Sequence, residues 1–141
     1  MLELRVERLA GQDEGIVLLG LDRPASKNAL GRQLLGEFRA ALADLREDRS
    51  ARVLILHSLV EGVFCAGADL KERAGMAQAE VETFVRGLRA AFTEWEDLPL
   101  PTLAVIEGAA MGGGLELALA CDLRIAGADA KLGLAETCLG I

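Results

Sequence analysis

The chain has 141 residues, 52% of them hydrophobic, and carries a formal net charge of −7. This length is that of a single domain, and the hydrophobic fraction is enough for a sizeable core. The acidic balance argues against nucleic acid as a partner, because binding to phosphates requires a basic face. No membrane partner is expected either, since the uncharged apolar stretches are shorter than the ~20 residues of a spanning helix.

The cysteines and the start of the chain bear on its compartment. Cys65, Cys121 and Cys138 lie in apolar runs and lack the spacing of metal ligands. This pattern predicts buried, reduced thiols in an intracellular protein and no metal site. No leader pattern precedes the first strand, which favours the cytoplasm. The mitochondrial matrix is the alternative if a leader has been removed.

The first part of the chain changes from strand to helix patterns. Alternating apolar and charged residues over 2–7, followed by the apolar run 16–21, predict a hairpin. Residues 22–28 contain Pro, Ser and Asn and form a loop. Apolar residues then recur at spacings of three and four, which predicts an amphipathic helix over 30–48. The β-branched run 52–57 is typical of a buried strand.

The middle of the chain contains a loop of small residues and a second long helix. Within the loop 61–71, small residues precede Asp69, a residue type that favours the N-cap of a short helix starting at Leu70. An ordinary capped loop explains this segment equally well. Apolar residues from Val81 to Trp95 predict an amphipathic helix that ends before Pro99. Its apolar face belongs to the core.

A glycine-rich turn is the most informative feature of the second half. The strand pattern 102–107 leads to Gly112–Gly114, and a helix is predicted over 115–121, followed by a strand over 122–126. Glycines let a ligand approach the backbone closely, and free N–H groups at a helix start favour a negatively charged oxygen. Glu116 follows one turn later. These are the parts of a site that forms and protonates an enolate, although a tight crossing of helix and strand explains the glycines as well.

Several other residues have a simpler interpretation. A histidine-based triad around His57 has no support, because no nucleophile elbow surrounds any Ser or Cys. Asp122 is interpreted as a hydrogen-bonding partner of the backbone, and Trp95 as packing. Lys71 is either a phosphate contact or a solvated helix end. Strands alternating with helices of these lengths define an α/β class.

Four segments together resemble the enoyl-CoA hydratase/isomerase (crotonase) family, closest to its 3-methylglutaconyl-CoA hydratase branch. The segments are Arg23-Pro24-x-x-Lys27-Asn28-Ala29-Leu30, Phe64-Cys65-Ala66-Gly67-Ala68-Asp69-Leu70-Lys71, Gly112-Gly113-Gly114-Leu115-Glu116-Leu117-Ala118, and Gly133-x-x-Glu136. The resemblance covers nearly the whole chain. It implies a spiral of β-β-α repeats, of which residues 1–141 would be the N-terminal portion of one domain, without the C-terminal helical part.

The resemblance also implies a site for acyl-CoA thioesters. The backbone N–H groups of Ala68 and Gly113 would form the oxyanion hole, and Glu116 and Glu136 would be the catalytic pair. The implied contacts to coenzyme A and substrate come from Lys27, Ala29, Ala66, Ala68, Asp69, Leu70, Lys71 and Gly113. Coenzyme A enters as part of the substrate, and no separate cofactor is expected.

The implied activity is that of a lyase, an enoyl-CoA hydratase that adds water to a 2-enoyl thioester, with 3-methylglutaconyl-CoA as a candidate substrate. Glu116 is assigned as base and Glu136 as acid, with reversed roles left open. The alternatives are a Δ3–Δ2 enoyl-CoA isomerase and a non-catalytic module that binds RNA or a partner protein. The full-length parent is expected to form a homotrimer or a dimer of trimers.

Overall fold

The computed structural model describes residues 1–134 and contains eight strands and four helices within them. The strands are β1 Leu4–Arg8, β2 Ile16–Leu21, β3 Val53–Ser58, β4 Val63–Cys65, β5 Thr102–Ile106, β6 Ala109–Met111, β7 Leu123–Ala126 and β8 Lys131–Gly133. The helices are α1 Arg32–Arg46, α2 Leu70–Ala74, α3 Gln78–Glu96 and α4 Gly113–Leu119. Each predicted helix and hairpin strand is confirmed, with bounds displaced by a few residues.

A five-stranded sheet forms one layer, with the strand order β1-β2-β3-β5-β7. β1 pairs antiparallel with β2, Leu4 opposite Leu21, which confirms the predicted hairpin. From β2 onward every neighbouring pair in this sheet is parallel. Parallel pairing follows from the helices and second-sheet strands that separate these strands in sequence.

A second sheet contains only short strands, in the order β4-β6-β8, and both of its pairings are parallel. Along the chain, β3 is followed by β4, β5 by β6 and β7 by β8, so each turn contributes one strand to each sheet. This arrangement is a spiral of β-β-α repeats and confirms the predicted α/β class.

The core lies between the large sheet and the two long helices. Phe38 of α1 and Trp95 of α3 are both buried, with ring centroids 5.5 Å apart. The Trp95 indole N–H donates to the Cys121 sulfur at 3.1 Å, which connects α3 to the end of α4. Trp95 is therefore a packing residue, as predicted. Among residues 1–134, no helix is both long and apolar enough to cross a membrane.

The structure corrects the prediction for the glycine turn. The predicted strand 102–107 does not lead into Gly112–Gly114 directly, because β5 ends at Ile106 and β6 intervenes. The predicted loop 61–71 likewise contains β4. Strands of three residues are too short to show periodicity in a sequence. The glycine turn therefore follows the second sheet rather than the first.

Candidate functional site

Two loops that are distant in sequence lie side by side at the carboxyl end of β4. The Leu30 N–H donates to the Gly67 carbonyl at 2.7 Å, and the Asp69 N–H donates to the Leu30 carbonyl at 3.1 Å. The Ala66 N–H donates to the carbonyl of Lys27, also at 3.1 Å. These bonds form a short parallel ladder, which includes a bridge between Leu30 and Ala68. The ladder joins two of the segments that carry the family resemblance.

The backbone N–H groups of Ala68 and Gly113 lie close together. A Cβ built at Gly113 would lie 3.6 Å from the Ala68 nitrogen, and one built at Gly67 would lie 3.3 Å from the Gly113 nitrogen. Among residues 1–134, neither N–H has a hydrogen-bond partner. Two unpaired donors this close together can bind a single oxygen atom.

Backbone conformation shapes this position. Gly67 has φ +98° and Gly112 has φ +52°, values that side chains rarely allow. Both are therefore glycine for conformational reasons. They turn the chain immediately before Ala68 and Gly113. The N–H groups of these two residues consequently take part in neither the ladder nor the hydrogen bonds of α4.

A cleft of about 760 Å³ runs beside this position. Its lining includes the predicted contacts Lys27, Ala29, Ala68, Asp69, Leu70 and Lys71. Ala66 lines an adjoining cleft of about 490 Å³ together with Lys27 and Met111. The structure thus brings the predicted coenzyme A contacts together along two connected loops.

The predicted contacts differ in how accessible they are. Lys27 and Lys71 are exposed, as is the Leu70 side chain at 70%. Asp69 is buried, and both of its carboxylate oxygens are engaged, one by the Glu72 N–H at 3.0 Å and the other by Arg23 at 2.8 Å. The hydrogen bond from Glu72 is the main reason that the pKa of Asp69 is lowered, and Arg23 adds to the effect. Asp69 caps α2, as predicted.

Of the two predicted catalytic glutamates, Glu116 lies among the described residues. Glu116 lies on the first turn of α4, three residues after Gly113, and is exposed. Its carboxylate has no hydrogen bond or ion pair within the described part of the chain. Leu115 and Leu117 lie on other faces of this helix, whereas Leu119, one turn after Glu116, is exposed as well. Glu136 lies outside the described residues.

Cys65 and Cys121 are buried thiols that are unsuited to nucleophilic attack, and Cys138 lies outside the described residues. Burial raises the pKa of the Cys65 thiol to about 12 and that of Cys121 to about 11. Both thiols therefore remain protonated at neutral pH, as expected of structural cysteines.

The Thr102 N–H donates to Asp122 at 2.9 Å, which confirms the structural interpretation of Asp122. Residues 1–134 contain no cluster of three or more His, Cys, Asp or Glu side chains able to hold a metal ion.

Two residues of the site received no role in the sequence analysis. Asn28 is fully buried at φ +58°, and its side-chain amide donates to Ser58 and to the Phe64 carbonyl. Arg23 contacts Asp69 and the Ala29 carbonyl, both at 2.8 Å. Asparagine in a loop is a known signal for left-handed backbone, but its buried partners depend on the tertiary fold.

The fold and site together define an α/β protein with a β-β-α spiral and two neighbouring unpaired backbone donors beside a cleft. Comparison with known families agrees with this class. The sequence model named Enoyl-CoA hydratase/isomerase matches residues 11–141. The chain belongs to the enoyl-CoA hydratase/isomerase family.

Individual relatives support this assignment. "Probable enoyl-CoA hydratase 2, mitochondrial" from Arabidopsis thaliana is 54% identical over 138 residues, which are 98% of this chain and 46% of that protein. "Methylglutaconyl-CoA hydratase, mitochondrial" from Homo sapiens is 50% identical over 139 residues, 99% of this chain and 41% of that protein. An enoyl-CoA hydratase structure from Bacillus anthracis matches with a TM-score of 0.92 and 43% identity, covering 99% of this chain and 53% of that one. The chain thus spans about half the length of these relatives.

Proposed function

We propose that the protein containing this chain is an enoyl-CoA hydratase, a lyase that adds water across the double bond of a 2-enoyl thioester. The observation that carries this proposal is the pair of unpartnered N–H groups at Ala68 and Gly113. A conjugated thioester accepts a nucleophile at its β-carbon only when the negative charge that develops on its oxygen is stabilised. Loss of one such donor typically costs about 10²–10³ in rate.

The proposed chemical step uses the two glutamates as base and acid. One carboxylate takes a proton from water while the water oxygen bonds to the β-carbon, and the electron pair of the double bond moves to the thioester oxygen. The resulting enolate collapses as the other carboxyl group delivers a proton to the α-carbon. Glu116 as base and Glu136 as acid give syn addition if both act from the same face of the double bond.

Coenzyme A would bind along the two paired loops. Lys27 and Lys71 are exposed cations on the cleft of an otherwise acidic chain. They suit the negatively charged phosphates of coenzyme A. The backbone of Ala66, Ala68 and Leu70 would contact the adenine, and Ala29 and Asp69 would contribute to the wall of the cleft. No further cofactor enters this proposal.

The relatives support a narrower substrate and a location. The name of the human relative makes 3-methylglutaconyl-CoA a candidate substrate. The names of several relatives include "mitochondrial", which supports the matrix and gives no support to the cytoplasmic expectation. A homotrimer or a dimer of trimers stays our expectation for the full-length protein, and no nucleic-acid partner is proposed.

A direct assay tests this function. Full-length protein is incubated with crotonyl-CoA and with 3-methylglutaconyl-CoA, and the loss of the conjugated-thioester absorbance is followed. Hydration of either substrate supports the proposal, and the ratio of the kcat/KM values identifies the preferred acyl group. Binding of both thioesters without turnover would favour a non-catalytic module.

Variants of the glutamates test the mechanism. Glu116→Gln and Glu136→Gln should each lower kcat by about 10²–10⁴-fold, the range for a positioned acid or base. Because both would act on one transition state, the double variant should be little slower than the poorer single one. Glu96→Gln, at the exposed end of α3, is the matched control. An unaffected Glu136→Gln enzyme would favour the one-glutamate isomerase.

A further inference from the structure

The Arg23 guanidinium lies at a junction of three segments. Its Nε atom is 3.0 Å from a Glu3 carboxylate oxygen, and one Nη atom is 2.8 Å from both Asp69 Oδ2 and the Ala29 carbonyl oxygen. The other Nη atom is 3.8 Å from Glu72. The Arg23 side chain is only 19% exposed. One guanidinium thus contacts three carboxylates and a carbonyl.

These contacts reach the residue that follows the oxyanion donor. Asp69 comes directly after Ala68 and is held by Arg23 through Oδ2, by the Glu72 N–H through Oδ1, and by the Leu30 carbonyl through its own N–H. The Ala68 N–H belongs to the Gly67–Ala68 peptide, whose carbonyl accepts from the Leu30 N–H, and Asp69 restrains the peptide that follows Ala68. Arg23, through its side chain, and Leu30, through its carbonyl, are the members of this set that connect Asp69 to the loop before α1.

The backbone of Arg23 is fixed as well. Its N–H donates to Asn28 Oδ1 at 2.8 Å, and its carbonyl accepts the Asn28 N–H at 3.0 Å. Asn28 is fully buried and donates to the Phe64 carbonyl at 3.0 Å, on β4. The guanidinium consequently projects from a loop whose backbone is held by hydrogen bonds. It can therefore restrain the position of the Asp69 carboxylate.

The neighbouring Gly31 leaves room for this ion cluster. A Cβ at Gly31 would lie 2.5 Å from Glu72 Oε2 and 2.9 Å from Arg23 Nη1. Its φ of −100° is available to any residue, so backbone conformation does not require glycine here. The space beside Gly31 is occupied by the ion pair itself.

We propose that Arg23 is a positioning residue of the oxyanion hole: it bridges the Ala29 carbonyl and the Asp69 carboxylate, and so helps to hold Ala68 where its N–H can reach the thioester oxygen. This inference rests on the proposed function. Arg23 also lines the cleft, which raises the alternative of a direct phosphate contact. Its donors are already directed to three carboxylates and a carbonyl, so it offers little free charge to a ligand.

The test compares two arginine variants of the full-length protein. Arg23→Met should lower kcat by about 10²-fold, because a misplacement of about 1 Å at a reacting group costs this much. KM should change by less than about threefold, since Lys27 and Lys71, the cations proposed for the phosphates, have no hydrogen bond or ion pair with Arg23 within residues 1–134. Arg5→Met is the matched control, because Arg5 also pairs with a carboxylate, Asp22, at 2.8 Å, but lies away from Asp69. It should leave both constants unchanged.

Two further measurements separate positioning from other roles. A saturated alkyl-CoA thioether lacks the carbonyl oxygen, so its affinity should be equal in the wild type and in Arg23→Met. The red shift of a bound aryl-enoyl-CoA reports polarisation of the carbonyl and should be lost in Arg23→Met. Arg23→Lys keeps the charge but not the planar fork of the guanidinium. Its unfolding midpoint should therefore be closer to the wild-type value than that of Arg23→Met, while its kcat stays low.

Each outcome decides the proposal. Weaker binding of the thioether to Arg23→Met would make Arg23 a ligand contact, and an unchanged red shift with unchanged kcat would remove it from the site; either result overturns the inference alone. If Arg23→Met does not fold, Asp69→Asn decides by the same measurements, because asparagine Oδ1 can still accept from the Glu72 N–H and cap α2, whereas its Nδ2 in place of Oδ2 cannot accept from Arg23. A wild-type protein that binds and polarises the thioester without hydrating it would overturn the hydratase assignment while leaving this test intact.

Discussion

The three consecutive glycines of the turn before α4 serve three different purposes. Gly112 has φ +52° and is required by the backbone. Gly114 packs against the Cys65 carbonyl so closely that any Cβ would overlap it. Gly113 has neither constraint, because a Cβ there would make ordinary contacts of 3.6–3.8 Å with Ala68, Gly67 and Leu30. The absence of a side chain at Gly113 therefore keeps the position between the two donors open.

Gly113→Ala tests this interpretation in the full-length protein. The variant should fold normally, since the added methyl group meets no clash, but the methyl group would stand 3.6 Å from the Ala68 nitrogen. We expect kcat for crotonyl-CoA to fall by at least about 10²-fold, as for the loss of one preorganised donor.

The control for this variant is Gly36→Ala on α1. A Cβ at Gly36 would meet nothing within 4 Å. This substitution should leave kcat unchanged and raise the free energy of unfolding by about 0.5–1 kcal/mol, the difference in helix propensity. Near-normal turnover by a folded Gly113→Ala enzyme would show that the space beside Gly113 is not used by the substrate.

The two long helices are held together by contacts of unequal weight. Trp95 of α3 is fully buried against Phe38 of α1, whereas the ion pair between Arg39 and Glu94 is 2.6 Å long but about 40% exposed on both sides. An exposed ion pair is screened by water and salt and contributes little. Burial of the indole ring therefore dominates the packing of α1 against α3.

Substitutions on α3 measure this difference. Trp95→Ala should lower the free energy of unfolding by about 3–5 kcal/mol, through lost burial and the cavity left behind. Glu94→Gln, one residue earlier, should cost less than about 1 kcal/mol, and the cost should shrink with added salt. Urea unfolding followed by far-UV circular dichroism gives both values. Equal costs would mean that the ion pair stabilises the packing of the two helices as much as the ring does.

The described chain exposes apolar side chains at one edge. Leu123 and Ile125 of β7 are 65% and 58% exposed, and Leu119 and Leu132 are exposed to a similar degree. β7 is also the last strand of the large sheet within residues 1–134. An apolar edge strand with unpaired backbone groups tends to associate with another chain.

A polypeptide consisting of the 141 residues alone should consequently self-associate at micromolar concentration. Replacing both Leu123 and Ile125 by lysine should return it to a monomer, because charges on an edge strand oppose pairing. Leu59→Lys, at another exposed leucine, is the control and should leave association unchanged. Sedimentation velocity distinguishes these cases, and a monodisperse wild-type monomer would contradict the prediction.

The longer elements could be predicted from the sequence because each has a strong local signal. β1 alternates apolar and charged residues, β2 is a continuous apolar run, and α1 and α3 repeat their apolar residues every three to four positions. Side chains on one face of a helix or strand must be buried together. The resulting pattern can therefore be read from the local sequence without knowledge of the rest of the fold. The residues of the candidate site could be named for a different reason, since the motif around Gly113 matches a family in its residue types.

The second sheet was decided only by the tertiary structure. β4, β6 and β8 have three residues each and become strands through their parallel partners, not through any pattern of their own. The same holds for the exposure of Glu116 and for the contacts of Arg23 with Glu3, Asp69 and Glu72, which lie 20 to 49 positions away in sequence. Local sequence specifies the conformation of neighbouring residues, whereas a partly buried ion cluster and a three-residue strand depend on partners that only the folded chain brings within reach.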